Sequence, residues 1–111
     1  MNCDVILIGQ PGLGAGDMQL GGLLLANFLR LLGERDDNPE YIILWNEGVR
    51  IAVEGSNWIN HLKKLEEQGV KIVCCQTCIE FLGLEGQIAV GVIGNMPGIQ
   101  EILFAKHVLT V

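Results

Sequence analysis

Five short apolar runs alternate with helical stretches along this chain, and that alternation limits its fold more than any other feature. The runs are Cys3–Ile8, Tyr41–Trp45, Lys71–Cys75, Ile88–Ile93 and His107–Val111. Most are continuous Val, Ile and Leu rather than alternating with polar residues. Strands covered on both faces read this way, and such strands belong to parallel sheets. Between them the spacing predicts helices over Asp17–Gly33, Asn57–Gln68, Cys78–Leu84 and Met96–Ala105. Asp17 is placed as an N-cap, Ser56 or Asn57 as the cap of the second helix, and Pro97 falls in a first turn, where its missing N–H costs nothing. Strand and helix alternating from end to end argue for an α/β fold with right-handed crossovers in one domain over residues 1–111. The acidic stretch Glu34–Glu40 reads as a solvated loop.

The first helix carries Leu20, Leu23, Leu24, Leu25, Phe28, Leu29, Leu31 and Leu32. These cannot share one narrow face, so two sides of the helix are expected to be covered. One side meets the sheet. A second subunit, or a neighbouring helix of the same chain, is expected to cover the other. Half of the 111 residues are hydrophobic and only 18% are charged, which favours a homo-oligomer. The formal charge of -6 repels phosphate backbones, so nucleic acid is not an expected partner. The opening "MNCDVILIG" lacks the basic region of a signal peptide. The longest greasy segment, Leu20–Leu32, is interrupted by Asn27 and Arg30 and falls short of the ~20 apolar residues needed to cross a bilayer. A cytoplasmic location without membrane attachment is the expectation.

In open parallel sheets, ligands bind beyond the carboxyl ends of the strands. Four loops fall there: Gly9–Asp17, Asn46-Glu47-Gly48, Cys75–Cys78 and Gly94-Asn95-Met96. The glycine-rich loop fails both nucleotide patterns. Ala15-Gly16 stand where a Walker loop needs Lys and then Ser or Thr, and Asp17 or Gln19 stands where the dinucleotide fingerprint needs its last glycine. Its simplest reading is a tight turn. Its backbone N–H groups at Gly14 and Gly16, beside Asp17, remain candidates for a small anion, together with Asn46, Asn95 and Met96.

Three of the four cysteines lie within "VCCQTC". Cys75-Gln76-Thr77-Cys78 is a C-x-x-C at a strand-to-helix junction, where unpaired N–H groups lower a thiol pKa. The second thiol, one helical turn on, is placed to resolve a mixed disulfide or to close a local one. Cys74 points to the opposite face of its strand from Cys75. Cys74 and Cys3 therefore read as small buried hydrophobes. A structural zinc needs four ligands, and neither His61 nor His107 has ligand spacing to Cys75 and Cys78, so no metal or other cofactor is expected.

The segments "ILIGQPGLGAGD", "NEGVRIAVEGS", "LKKLEEQGVKIVCCQTCIEFLGL" and "AVGVIGNM" resemble the C-terminal domain of the YedF proteins. These are described as sulfurtransferase-like proteins of selenium metabolism, and the domain belongs to the DsrE-like superfamily. The resemblance covers nearly the whole chain. It implies a three-layer α/β/α domain with a five-stranded, mostly parallel sheet, and homo-oligomers. Sulfur-relay members carry a persulfide on a cysteine eight residues before a helix-closing glycine. Here that pair is Cys75 and Gly83, which assigns the role to Cys75, with Cys78 matching the second cysteine of the YedF pattern. A TusA-like sulfur carrier is the partner implied. YedF proteins usually carry a TusA-like domain ahead of this one, so the chain reads as a stand-alone version or an excised domain. Phe81-Leu82 stand where the sulfur-relay members have basic residues. Three functions follow for test: a sulfur- or selenium-handling protein, a dithiol redox protein or sensor using Cys75 and Cys78, and a non-catalytic subunit that binds a small anion.

Overall fold

The computed structural model describes residues 1–111. Five strands form one sheet: β1 (Val5–Ile8), β2 (Tyr41–Leu44), β3 (Lys71–Cys75), β4 (Val92–Gly94) and β5 (Val108–Thr110). The strand order is β4-β3-β2-β1-β5, and every pairing is parallel. The four α-helices are α1 (Met18–Gly33), α2 (Ile59–Glu67), α3 (Gln76–Phe81) and α4 (Met96–Ala105), and a 3-10 helix spans Asn46–Ala52.

The strand order fixes the layers. From β1 to β4 the chain steps across the sheet in one direction, so right-handed crossovers set α1, α2 and α3 on one face. The return from β4 to β5 runs the other way and sets α4 on the opposite face. This is the three-layer α/β/α arrangement expected. The continuous apolar runs become β1, β2 and β3, whose Val5–Ile8, Ile42–Leu44 and Ile72–Cys75 are all buried. Leu25, Leu29 and Leu32 of α1, and Leu62 and Leu65 of α2, complete the core on one face, and Ile99 of α4 enters it from the other.

Asp17 caps α1 as expected: its Oδ1 accepts the Leu20 N–H at 2.8 Å. The cap of α2 differs from the expectation. Trp58 occupies that position without a side-chain cap bond, while Ser56, two residues earlier, donates its hydroxyl to the Ile51 carbonyl and accepts the Trp58 N–H at 3.4 Å. The fourth strand also lies later than expected. Gly91 has φ 82°, and a Cβ there would meet the Ile72 carbonyl oxygen at 2.6 Å. The chain turns at this point, so β4 starts at Val92, and Ile88 forms only an isolated antiparallel bridge with Val53. Helix α3 starts two residues before the expected Cys78 and ends before Gly83, whose φ is 69°.

The apolar surface of α1 is only partly covered. Trp58 of the loop before α2 packs on Gly22 and donates its indole N–H to the Gly22 carbonyl at 3.0 Å. Leu20, Leu23, Leu24 and Leu31 stay exposed, so no helix of the same chain covers that side. The outer strands are open as well: Val92 and Ile93 of β4 and Val108 and Leu109 of β5 are exposed, and Phe104 of α4 is 81% exposed. No helix is long and apolar enough to cross a membrane.

Candidate functional site

Two clefts open at the carboxyl edge of the sheet. The first, about 410 Å³, is walled by Trp45, Asn46, Glu47, Thr77, Cys78, Phe81, Leu82 and Met96. The second, about 500 Å³, is formed by the glycine-rich loop with Asp17, Gly21, Glu47 and Arg50. Glu47 lines both.

The chain leaves β2 through Trp45 and enters the 3-10 helix at Asn46 with φ 52°, the only non-glycine residue at positive φ. Asn tolerates this region better than other residues, yet it is still a strained state held by its surroundings. The strained turn aims the Asn46 N–H at the Cys78 sulfur, 3.0 Å away. The Asn46 side-chain oxygen accepts the Glu47 N–H at 2.9 Å and fixes the turn. Gly48 lets this helix lie against the end of β1, since a Cβ there would collide with the Ile8 carbonyl. The Gly48 N–H is bonded to the Trp45 carbonyl at 3.0 Å.

The cysteines separate clearly. All four are free thiols. Cys74 is fully buried and donates weakly to the Val90 carbonyl at 3.9 Å. Burial, with the Glu66 charge and Cys75 adding to it, pushes its pKa up to about 12. It is a core residue, as expected. Cys3 is half-buried, packs on the core and donates to the Val5 carbonyl at 3.2 Å. Cys75 ends β3 and stands immediately before α3, yet it is only 1% exposed. Cys78 is half-buried and lines the first cleft. Its pKa is raised, first by burial and then by a hydrogen bond with the Cys75 thiol, while the Asn46 N–H acts in the opposite direction. The expectation centred on Cys75 therefore meets a reversed order of access. Cys78 faces the cleft, and Cys75 is buried at the end of β3.

The other expected residues divide between the two clefts. Asn46 and Met96 join Cys78 in the first, and Gly14, Gly16 and Asp17 line the second. Gly14 and Gly16 have φ of 70° and 115° with open space around them, which fits a turn that only glycine makes comfortably. Asn95 lines neither cleft. Its side-chain oxygen accepts the Gly98 N–H at 2.9 Å and caps α4. Arg50 went unnoticed in the sequence, because "NEGVRIA" has no α-helical periodicity to place it at an edge. Its guanidinium pairs with Glu47 one turn earlier. His61 lies on α2 and His107 just before β5, both away from the clefts. No group of three or more His, Cys, Asp or Glu side chains gathers where it could hold a metal ion.

No protein-family model matches the chain, and no curated protein does. Solved structures do match it over nearly full length. The YchN protein of E. coli superposes with a TM-score of 0.72 at 24% identity, covering 98% of this chain and 99% of that one. MTH1491 from Methanobacterium thermoautotrophicum, a protein of unknown function, gives 0.67 at 18% identity over 96% of both chains. BT1422 from Bacteroides thetaiotaomicron, a conserved protein of unknown function, gives 0.66 at 18% identity, covering 97% of this chain and 95% of that one. Identities this low establish the shared three-layer fold alone and leave the chemistry to be argued from the clefts.

Proposed function

We propose that this chain handles sulfane sulfur, as a sulfurtransferase-like protein, through the Cys75–Cys78 pair. The observation that carries the reading is the Cys78 sulfur in an apolar cleft, with a fixed N–H 3.0 Å away and the buried Cys75 thiol beside it. Cys78, whose pKa burial raises, gives up its thiol proton as its sulfur attacks the terminal sulfur of a donor persulfide, R–S–SH. The donor S–S bond breaks, R–S⁻ leaves and takes up a proton, and Cys78–S–SH forms without net oxidation. The Asn46 N–H stabilises negative charge on the Cys78 sulfur during attack. The Cys75 thiolate then attacks the Cys78 sulfur and expels HS⁻. The sulfane sulfur gains two electrons, the pair loses two and becomes a disulfide, and an external dithiol reductant restores it. The likeness to YedF assigned the persulfide to Cys75; the access order favours loading at Cys78 with Cys75 as the resolving thiol. Selenium in place of sulfur follows the same steps. The YedF likeness also supplies a TusA-like carrier as one class of donor, and a cytoplasmic location suits four free thiols.

Intact-mass measurement after incubation with a persulfide donor tests this. Wild type is expected to gain one sulfur and then to become the disulfide as sulfide is released. Cys75→Ser is expected to hold its added sulfur, and Cys78→Ser to load slowly. A wild type that forms the disulfide without ever gaining sulfur points to the dithiol redox reading instead. Equal, undiminished loading of Cys78→Ser would contradict the assigned order.

The exposed leucines of α1 and the open outer strands are assigned to contacts between copies of this chain. Light scattering is expected to report an oligomer, and Leu23→Glu with Leu24→Glu is expected to shift it toward smaller species. A wild-type monomer at micromolar concentration would remove this part.

A further inference from the structure

The second cleft contains no thiol, and its walls carry charges of both signs. Asp17 and Glu47 supply two carboxylates, and Arg50 supplies one guanidinium. A bare anion entering it meets a net negative wall, within a chain whose overall charge is -6. A ligand end that carries both signs suits it better. An ammonium matches the carboxylates, while a carboxylate matches Arg50 and the backbone of the glycine loop. Arg50 and Glu47 satisfy one another across the cleft wall. An amino-acid head exchanges that pair for two new ones, so neither charge is left unpaired.

Glu47 lines both clefts, so the charged cleft adjoins the one that holds Cys78. The 3-10 helix that separates them sets the spacing. From Asn46, whose N–H meets the sulfur, to Arg50 is four residues, roughly 8 Å at ~2 Å per residue. From an amino-acid head to the thiol of the next residue, an extended peptide spans about two residues, roughly 7 Å. A peptide with its thiol one residue beyond the amino-acid head covers most of this backbone separation, and a single amino acid covers less of it.

Building on the sulfur-handling reading, we infer that a small peptide thiol persulfide of two to three residues serves as a donor. Its zwitterionic amino-acid head is held between Arg50 and the Asp17–Glu47 carboxylates, and its sulfur reaches Cys78. Arg50 and Glu47 are specificity residues in this arrangement: they hold the end of the donor that does not react.

S-methylglutathione, which has such a head at such a distance and cannot donate sulfur, separates this inference from the chemistry. Titration into the full-length protein, followed by NMR, is expected to give saturable shifts at Arg50, Gly14 and Cys78. Arg50→Ala is expected to weaken binding about tenfold, as for loss of a charge-assisted contact. Arg50→Lys is expected to restore part of it, and S-methylcysteine to bind at least tenfold more weakly than the tripeptide. Absence of saturable binding, an unchanged affinity in a folded Arg50→Ala protein, or equal binding of S-methylcysteine would overturn the inference. Because the probe carries no sulfane sulfur, its binding is read independently of whether Cys78 accepts sulfur from any donor.

Discussion

Cys74 sits in the middle of the sheet, beside Val90 and between β2 and β4, where nothing reaches it. Cys78, four residues on, looks into a cleft and faces a backbone N–H that a strained Asn46 holds in place. The same side chain is packing material in one region and a candidate nucleophile in the other. The contrast teaches that thiol chemistry here is set by what the neighbouring chain presents, not by the density of cysteines. It also separates two kinds of strength. The interior is continuous apolar burial, while the cleft edge rests on a few fixed backbone groups.

The largest expected effect falls at the seam between the two regions. Gly48→Ala sets a methyl group against the Ile8 carbonyl and pushes the 3-10 helix off β1. A loss of about 3 kcal/mol or more is expected in a denaturant titration, beyond ordinary overpacking. A near-neutral result would mean that the contact between this helix and β1 is loose.

The next test uses pH. The Cys74 pKa lies at about 12 in the folded protein, against an ordinary value of 9.0. Folded chains therefore keep a proton that unfolded chains release. This contribution is intact below the ordinary value and is lost as pH rises toward the folded one. The expected slope approaches about 1.4 kcal/mol per pH unit in that window. Cys74→Ala is expected to flatten it, and an unchanged slope in that variant would contradict the burial argument. Cys78, also raised, adds in the same direction.

A smaller effect is expected at Asn46. Asn46→Ala keeps the N–H but loses the side-chain bond to Glu47 and places a less tolerant residue at positive φ. A cost of about 1 kcal/mol is expected from melting curves. Alkylation of Cys78 should slow at the same time, as the N–H loses its fixed aim. Equal alkylation rates would separate the strained turn from the thiol. The smallest expected change is at the rim. Phe81→Ala, with Phe81 88% exposed, is expected to shift stability by less than about 0.5 kcal/mol in a subunit while altering the cleft mouth.

The interior was the legible part of the sequence. Buried parallel strands leave continuous Val, Ile and Leu runs, and β1, β2 and β3 lie within the runs that predicted them. β4 was misplaced because Ile88–Ile93 is apolar throughout and only the backbone geometry at Gly91 breaks it. In the cleft, C-x-x-C spacing singled out Cys75 and Cys78 as a pair. It did not reveal their order of access, which depends on α3 starting at Gln76 and on the 3-10 helix docking beside Cys78. That helix was invisible to a search for 3.6-residue periodicity, and Arg50 with it. Asn95 carried a cap signal and a binding signal together, and its side-chain oxygen serves the cap.

Timed alkylation of the native, reduced protein, mapped cysteine by cysteine, tests most directly whether Cys78 is the thiol that meets substrate. Cys78 is expected to be modified first, Cys75 only after it or on opening of the cleft, and Cys74 only on unfolding. Modification of Cys75 ahead of Cys78, or of Cys74 at a comparable rate in the folded protein, would contradict the account.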